Sequence, residues 1–346
     1  MKKETSNLMI SRSERKLVPI ALAMALLFFA ALPSLGQGTN QRSFASPDEA
    51  MQALADAAKN KDRAALGSLF GPEYQKLLSG DPVQDNNELD HFAAAIGQSA
   101  KLRKTGDSRA AVTIGPDNWP FPIPIVKSAQ SQTGDQWRFD TAAGMEEILN
   151  RRIGENELSA ISTCRAYTLA QWEYFTEGDH DNDGVAEYAQ KFISTPGQKD
   201  GLFWETAEGE KPSPMGALVA AARAEGYAAG RRDTATVKAA SATTSATTST
   251  NALPRSPYHG YYFRILKRQG QHAPGGKYNY VINGNMIAGY ALIAFPEKWG
   301  SSGIMTFIVN QQGRVYQRNF GSNTLKIANA ITEYDPDPGG WKVVKE

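Results

Sequence analysis

One cysteine, Cys164, stands in a chain of 346 residues, so no disulfide can form within it. Histidine is nearly as scarce. His91, His180, His259 and His272 are the four, and no two have the spacing that turns a pair of metal ligands to one helix face. No G-x-S-x-G elbow occurs. Gly275-Gly276-Lys277 lacks the upstream glycine of a phosphate loop and reads as a hairpin turn. Charge of one sign is missing too: 37 basic side chains meet 36 acidic ones, so no basic field gathers nucleic acid. The sequence therefore points to no catalytic residue and no cofactor-binding residue.

What is present begins at the N-terminus. Lys2, Lys3, Arg12, Arg15 and Lys16 precede an apolar run from Leu17 to Leu32, and Ser34-Leu35-Gly36 closes it. A basic start, an apolar middle and a small-residue end make the pattern of a secretory signal peptide, residues 1–36, cut after Gly36. The run is shorter than the roughly twenty residues a membrane span needs, and no second one follows, so no span is expected after cleavage. The expected compartment is periplasmic or secreted. The segment carries five basic and two acidic residues, so its removal takes the formal charge from +1 to about −2.

Helical signals come next. Ser46-Pro47-Asp48-Glu49 opens a helix carried on by Ala50, Leu54, Ala57 and Ala58. Asp62 or Lys61 opens a second through Leu66, Leu69 and Phe70, stopped at Gly71-Pro72, and a third runs from Asn87 past Phe92 and Ile96. Arg109 to Ile114 alternates as a strand, Asp117-Asn118 turns, and Gln136 to Phe139 forms another strand after a turn at Gly134-Asp135. Between them Pro120, Pro122 and Pro124 alternate with Phe121, Ile123 and Ile125, which predicts a protected edge strand or a polyproline II stretch. A long helix is expected from Gly144 to Phe175, broken near Gly154. Leu158, Ile161, Arg165, Thr168, Leu169, Trp172 and Phe175 trace one side of it. Pro214 to Leu218 opens a further helix toward Tyr227. Thr234 to Ser256 is Ala, Thr and Ser with almost no large apolar group, and is expected to be a flexible insertion. Strands follow at 261–266, 278–282, 290–295, 303–309 and 315–318, then a short helix at 323–331. The expected plan is α+β: an N-terminal region, 37–143, and a C-terminal region, 144–346, in which a long helix packs on an antiparallel sheet.

Three groups of residues invite a functional reading. Asp179, Asp181 and Asp183 with Gly184 and Glu187 match the first part of a calcium loop, since oxygen ligands two residues apart converge on a hard cation. Gln190 replaces the bidentate carboxylate at the twelfth position, and an acidic turn that caps the next element is the competing reading. Tyr258, His259, Tyr261 and Tyr262, with Tyr278 and Tyr280, offer either a groove for glycan or peptide or cross-strand packing. Arg151-Arg152 among Glu146, Glu147, Glu155 and Glu157 reads as a solvated, ion-paired helix face. Cys164, inside an amphipathic helix, reads as a buried inert thiol.

The runs Trp137-Arg138-Phe139-Asp140, Glu146 to Leu158, Asp183-Gly184 to Gln190, Pro257 to Tyr262 and Met305 to Asn310 resemble DUF2950, a family of exported bacterial proteins of unknown function. The resemblance covers nearly all of the chain after the leader, and implies export but no activity. The C-terminal half also resembles the globular domain of type IV pilins and pseudopilins in element order. It lacks their prepilin cleavage pattern, and its leader is not followed directly by the long helix. The N-terminal half is similar in order to an NTF2-like cone. The expected function is a non-catalytic envelope protein acting as a binding or assembly module, with an envelope protein or cell-wall component as partner and calcium as stabiliser. The alternative is a periplasmic hydrolase or ligand-processing enzyme using Asp90 and His91.

Overall fold

The structure, a computed structural model, describes residues 41–128, 136–180, 183–227, 257–337 and 339–345. The leader, the Gly134-Asp135 turn, Asp181 and the Thr234–Ser256 insertion lie outside these residues. α1 (Pro47–Lys59) starts where Ser46 Oγ accepts the Glu49 amide at 3.1 Å. α2 (Arg63–Phe70) is capped by Asp62 and ends at Gly71, whose φ of +71° suits glycine. A 3-10 turn and α3 (Tyr74–Leu77) lead to α4 (Pro82–Gln98). α4 starts five residues before the expected Asn87, because the Asp81 carboxylate accepts the Val83 and Gln84 amides and Pro82 fits the first turn.

β1 (Ala100–Gly106), β2 (Arg109–Ile114), β4 (Ile125–Ser128) and β5 (Gln136–Phe139) form an antiparallel sheet in that order, and β3 (Trp119–Pro120) also pairs with β2. The start of the proline segment, β3, pairs with β2 alone and is an outer strand as expected, while its end at Ile125 enters β4, which lies between β2 and β5. Thr113 and Ile114 oppose Pro120 and Trp119, while Arg109 and Ala110 oppose Val126 and Ile125. The ladder lapses across Pro122 to Pro124, which bulge out because two of the three residues have no amide hydrogen. Phe44, Leu54, Leu69, Ile96, Ile125 and Phe139 are among the buried residues of the cluster between this sheet and α1, α2 and α4.

α5 (Thr141–Thr176) is a single unbroken helix of 36 residues, about 54 Å long at the usual rise. Gly154 does not interrupt it. Its first turns rest on the N-terminal sheet: a Cβ on Gly144 would stand 2.6 Å from Ile123 Cγ1 and 2.8 Å from Ile123 Cα. Its second half packs on the C-terminal sheet, so the helix belongs to two apolar clusters. Between them lies a polar stretch. Asn156 accepts from Gln84 Nε2 and donates to Ser302 O, both at 2.9 Å. Arg152 is buried rather than solvated, donates to Leu77 O and faces Glu88 at 3.6 Å. Arg151 keeps the expected exposed pair, with Glu147 at 2.7 Å.

After α5 an irregular stretch crosses the core and contributes Ala189, Leu202, Phe203 and Met215 before α6 (Gly216–Ala224). β6 (Tyr261–Leu266), β11 (Ala291–Pro296), β12 (Thr306–Asn310), β13 (Tyr316–Arg318) and β14 (Lys342–Val343) form the second antiparallel sheet, ordered β14-β13-β12-β11-β6. Two small ladders sit between β6 and β11 in sequence: β7 (Arg268–Gln269) with β8 (Tyr278–Asn279), and β9 (Val281–Ile282) with β10 (Asn285–Met286). The expected single strand 278–282 is therefore shared between two ladders. α7 (Thr324–Ala330) packs on β11, as does α5. β11 and β12 are buried along their whole length, as strands covered on both faces are. The elements from α1 to β14 lie in one unit, Thr39–Glu346, and the fold is α+β with antiparallel sheets.

Candidate functional site

β6 closes one end of the second sheet, and its hydrogen bonds show which way each residue points. Residues 261 to 266 pair with 296 to 291 of β11, and Gly260 O continues that ladder by accepting Glu297 N at 2.9 Å. Even-numbered residues therefore bond inward. Tyr261 exchanges two bonds with Tyr258, and Lys267 O accepts Tyr280 N at 2.8 Å, so odd-numbered residues point to the outer side. By the two-residue period of a strand, the N–H and C=O of Phe263 and Ile265 point outward as well. Among the described residues neither has a hydrogen-bond partner there.

A cleft of about 520 Å³ runs along this edge, lined by Gln190, consecutive residues Arg264 to Arg268, Asn279, Val281 and Thr332. Residues of both parities along β6 and just beyond it line the cleft, Ile265 and Lys267 with Arg264 and Leu266. That arrangement requires the cleft to follow the strand edge. Three cations give it a positive field. Arg264 spends its guanidinium on the carbonyls of Ala328, Asn329 and Ile331 at the end of α7, and burial pulls its proton affinity down. Lys267 donates to Gln190 Oε1 at 2.9 Å. Burial and the charge of Lys191 lower the pKa of its ammonium, against the opposing pull of Glu187. Arg268 has Glu333 at 3.6 Å.

A second cleft, about 680 Å³, opens where the loop before α4 meets the end of β11. Arg63, Gln75, Asp85, Asn86, Glu297 and Lys298 line it. Burial first, then the charge of Asp81, raises the Glu297 carboxyl above the usual range. Asp90 and His91 are not in this cleft. Both are exposed on α4, where Asp90 meets Lys61 at 2.7 Å.

The acidic loop is held by its own amides. Asp179 accepts from Asp183 N at 3.2 Å and Gly184 N at 2.7 Å. Asp183 accepts from Val185 N at 2.8 Å and from Asn285 Nδ2. Glu187 accepts from Met286 N at 3.0 Å, which fixes the loop to β10. Among the described residues no group of three His, Cys, Asp or Glu side chains is placed to hold a metal ion.

The aromatic set is divided. His259 and Gly260 have φ of +45° and +67°, and Tyr258 and Tyr261 exchange N–H···O bonds at 3.0 and 3.1 Å around them. This is a tight turn with two left-handed positions, the type that suits a strand hairpin. Tyr261 faces the core, not a groove: it is fully buried and donates to Met305 O at 2.9 Å. Tyr280 is buried too, on Gln269 Oε1 at 3.0 Å. Tyr258 and His259 are half-buried against Tyr227, Tyr258 edge-on and His259 tilted, and His259 Nε2 lies 2.8 Å from Glu225. Tyr262 reaches Glu297 at 3.4 Å. Cys164 is buried, and burial pushes its thiol up to about 12, which keeps it from acting as a thiolate.

The cleft beside β6 had little signal in the sequence. Arg264, Lys267 and Arg268 look like ordinary surface charges on a strand, and only pairing order reveals which strand is last. No helix among the described residues is long and apolar enough to cross a membrane. A family model described as "Protein of unknown function (DUF2950)" matches residues 41–344. No curated protein and no solved structure matches the chain.

Proposed function

The chain belongs to the DUF2950 family, and from that premise we propose that it is an exported, non-catalytic envelope protein acting as a binding or assembly module, one that takes an extended segment of an envelope partner along β6. The observation that carries this reading is the outward-facing backbone of Ile265, without a hydrogen-bond partner among the described residues, in a cleft that follows the strand edge. Strand edges of this kind are templates for added strands. The leader of residues 1–36 supports export, and the helix-on-sheet order of the C-terminal half supports the pilin-like comparison on element order alone.

Ile265→Pro tests the reading. Proline removes the outward N–H and leaves the inward bonds of Arg264 and Leu266 to β11 in place. A photo-reactive residue at position 267 should trap a discrete partner in the native envelope, and Ile265→Pro should abolish the adduct. A melting curve like that of the parent shows that the variant still folds. An adduct unchanged by the substitution overturns the reading. Sampling the same preparation by mass spectrometry should find Gln37 at the N-terminus.

Two further readings have one observation each. Aspartates two residues apart favour calcium at the acidic loop. Under that reading millimolar calcium raises the melting temperature, and Asp183→Asn removes the rise. The Glu297 carboxyl, lifted by burial beside Asp81, favours a hydrolase centred on the second cleft. There Glu297→Gln would abolish turnover of a substrate found by screening.

A further inference from the structure

Resting on the reading of β6 as a docking edge, we infer that the segment it takes is an acidic peptide in extended conformation, added as a sixth strand. The backbone sets the first requirement. Ile265 turns both a donor and an acceptor into the cleft, and the Lys267 N–H follows two residues on. A ligand that satisfies both must itself alternate donors and acceptors at strand spacing, which a peptide does. An anionic polymer without amide donors leaves the Ile265 carbonyl unanswered.

Charge sets the second requirement. Arg264, Lys267 and Arg268 line the cleft, and Lys191 adds to the field at Lys267. The opposing carboxylates are Glu187, acting on Lys267, Glu333, near Arg268, and Asp200, which is paired with Lys191. Arg264 is tied to three carbonyls and pairs with no carboxylate among the described residues. The wall that these cations flank is apolar, through Ile265, Leu266 and Val281. Alternating apolar and acidic side chains match both features at the period of a strand.

The same charges disfavour a second copy of the chain. Self-pairing of β6 would set Arg264, Lys267 and Arg268 against their own copies. The opposite edge, β14, brings Lys342 and, two residues beyond Val343, Lys345.

The test is a titration of the chain purified from the envelope with Val-Glu-Val-Glu-Val-Glu-Val. A copy N-methylated at alternate amides, Val-Thr and Val-Lys analogues, and inorganic polyphosphate are run alongside. The acidic peptide should bind, and N-methylation should weaken it about tenfold or more, since each blocked amide removes a donor to the edge. Lys267→Glu should weaken the acidic peptide about tenfold and strengthen the Val-Lys peptide, the reversal expected of charge complementarity. Circular dichroism should show the variant folded. Equal binding of the N-methylated copy, or displacement by polyphosphate with the same response to Lys267→Glu, identifies an anion site and overturns the inference. Equal binding of the Val-Thr peptide overturns the acidic partner but leaves the docking edge standing. If no peptide binds while the envelope adduct at position 267 still depends on Ile265, the inference falls and the module reading survives. If both fail, both fall.

Discussion

Gln171 shows how much one side chain can hold in this protein. Its amide nitrogen donates to Tyr167 Oη at 2.9 Å and Ala189 O at 2.8 Å, and its carbonyl accepts Ala189 N at 2.8 Å. It pairs with Ala189 as a neighbouring strand would, in a place where no strand exists. Gln171→Ala leaves the Ala189 amide and carbonyl buried without partners, and should cost about 3 kcal/mol in chemical denaturation. Gly260 is constrained in a different way. A Cβ there would meet Ser302 Cβ at 2.7 Å and Asn156 Nδ2 at 2.8 Å at a φ of +67°, so Gly260→Ala should lower stability by about 2 kcal/mol or more. Asp200 gives a pH signature. Burial opposes its ionised form, but donors from Lys191 and Thr195 outweigh burial, and its pKa falls below the usual carboxylate value. The stability it lends is present above that ordinary value and is lost as pH drops through the lowered one. Exchange of the Thr195 amide should therefore accelerate only in that acid window, and Asp200→Asn should flatten the response.

At the scale of elements, α5 reverses an expectation. Leu158, Ile161, Leu169 and Trp172 lie on the side of the helix that helical spacing traces, yet Leu158, Leu169 and Trp172 are 68, 72 and 59% exposed. The buried face is Asn156, Ala160, Thr163, Cys164, Tyr167, Ala170, Gln171 and Tyr174. Small residues let the helix approach β11 and β12, and the tyrosines end on backbone carbonyls of Ala291 and Lys199. Periodicity names the stripes of a helix, but size alone does not say which one is inside. Leu169→Glu should accordingly shift stability by no more than about 0.5 kcal/mol, where a core position would cost several times that. Two caps were legible. Ser46 and Asp62 sit at helix starts with their side chains on amide hydrogens, because a cap is a local contract between neighbours. Asp81 and Asp140, which start α4 and α5, were not, and lie ahead of the starts expected from the sequence at Asn87 and Gly144. The edge status of β6 was not legible, because it depends on pairing with residues some thirty positions away.

For the molecule as a whole, the polar seam between the apolar clusters matters most. Arg152 and Asn156, one turn apart on α5, bond groups from distant parts of the chain: Leu77 and Gln84 before it and Ser302 far after it. The α+β class and most strands could be read from alternation and turn residues. The seam could not, because Arg151-Arg152 looks like one solvated pair until the helix phase is known, and only Arg151 stays outside. Glu88, opposite Arg152, is raised in pKa chiefly by burial, with Arg152 pulling the other way. Its share of stability is whole below the ordinary glutamate value and declines as pH rises through the raised one, so Glu88→Gln should gain most relative to the parent near neutral pH. One melting transition is expected for both clusters, by fluorescence and by circular dichroism alike.

The length of α5 also sets an order of assembly. Tyr167 waits for Ala291, 124 positions later, and Asn156 for Ser302, 146 positions later. Were the chain to emerge N-terminus first, as the proposed export requires, the first half of the helix would find its sheet at once. The second half would emerge with its tyrosines unburied until the final strands arrived, and in that interval the chain would be most open to proteases and chaperones.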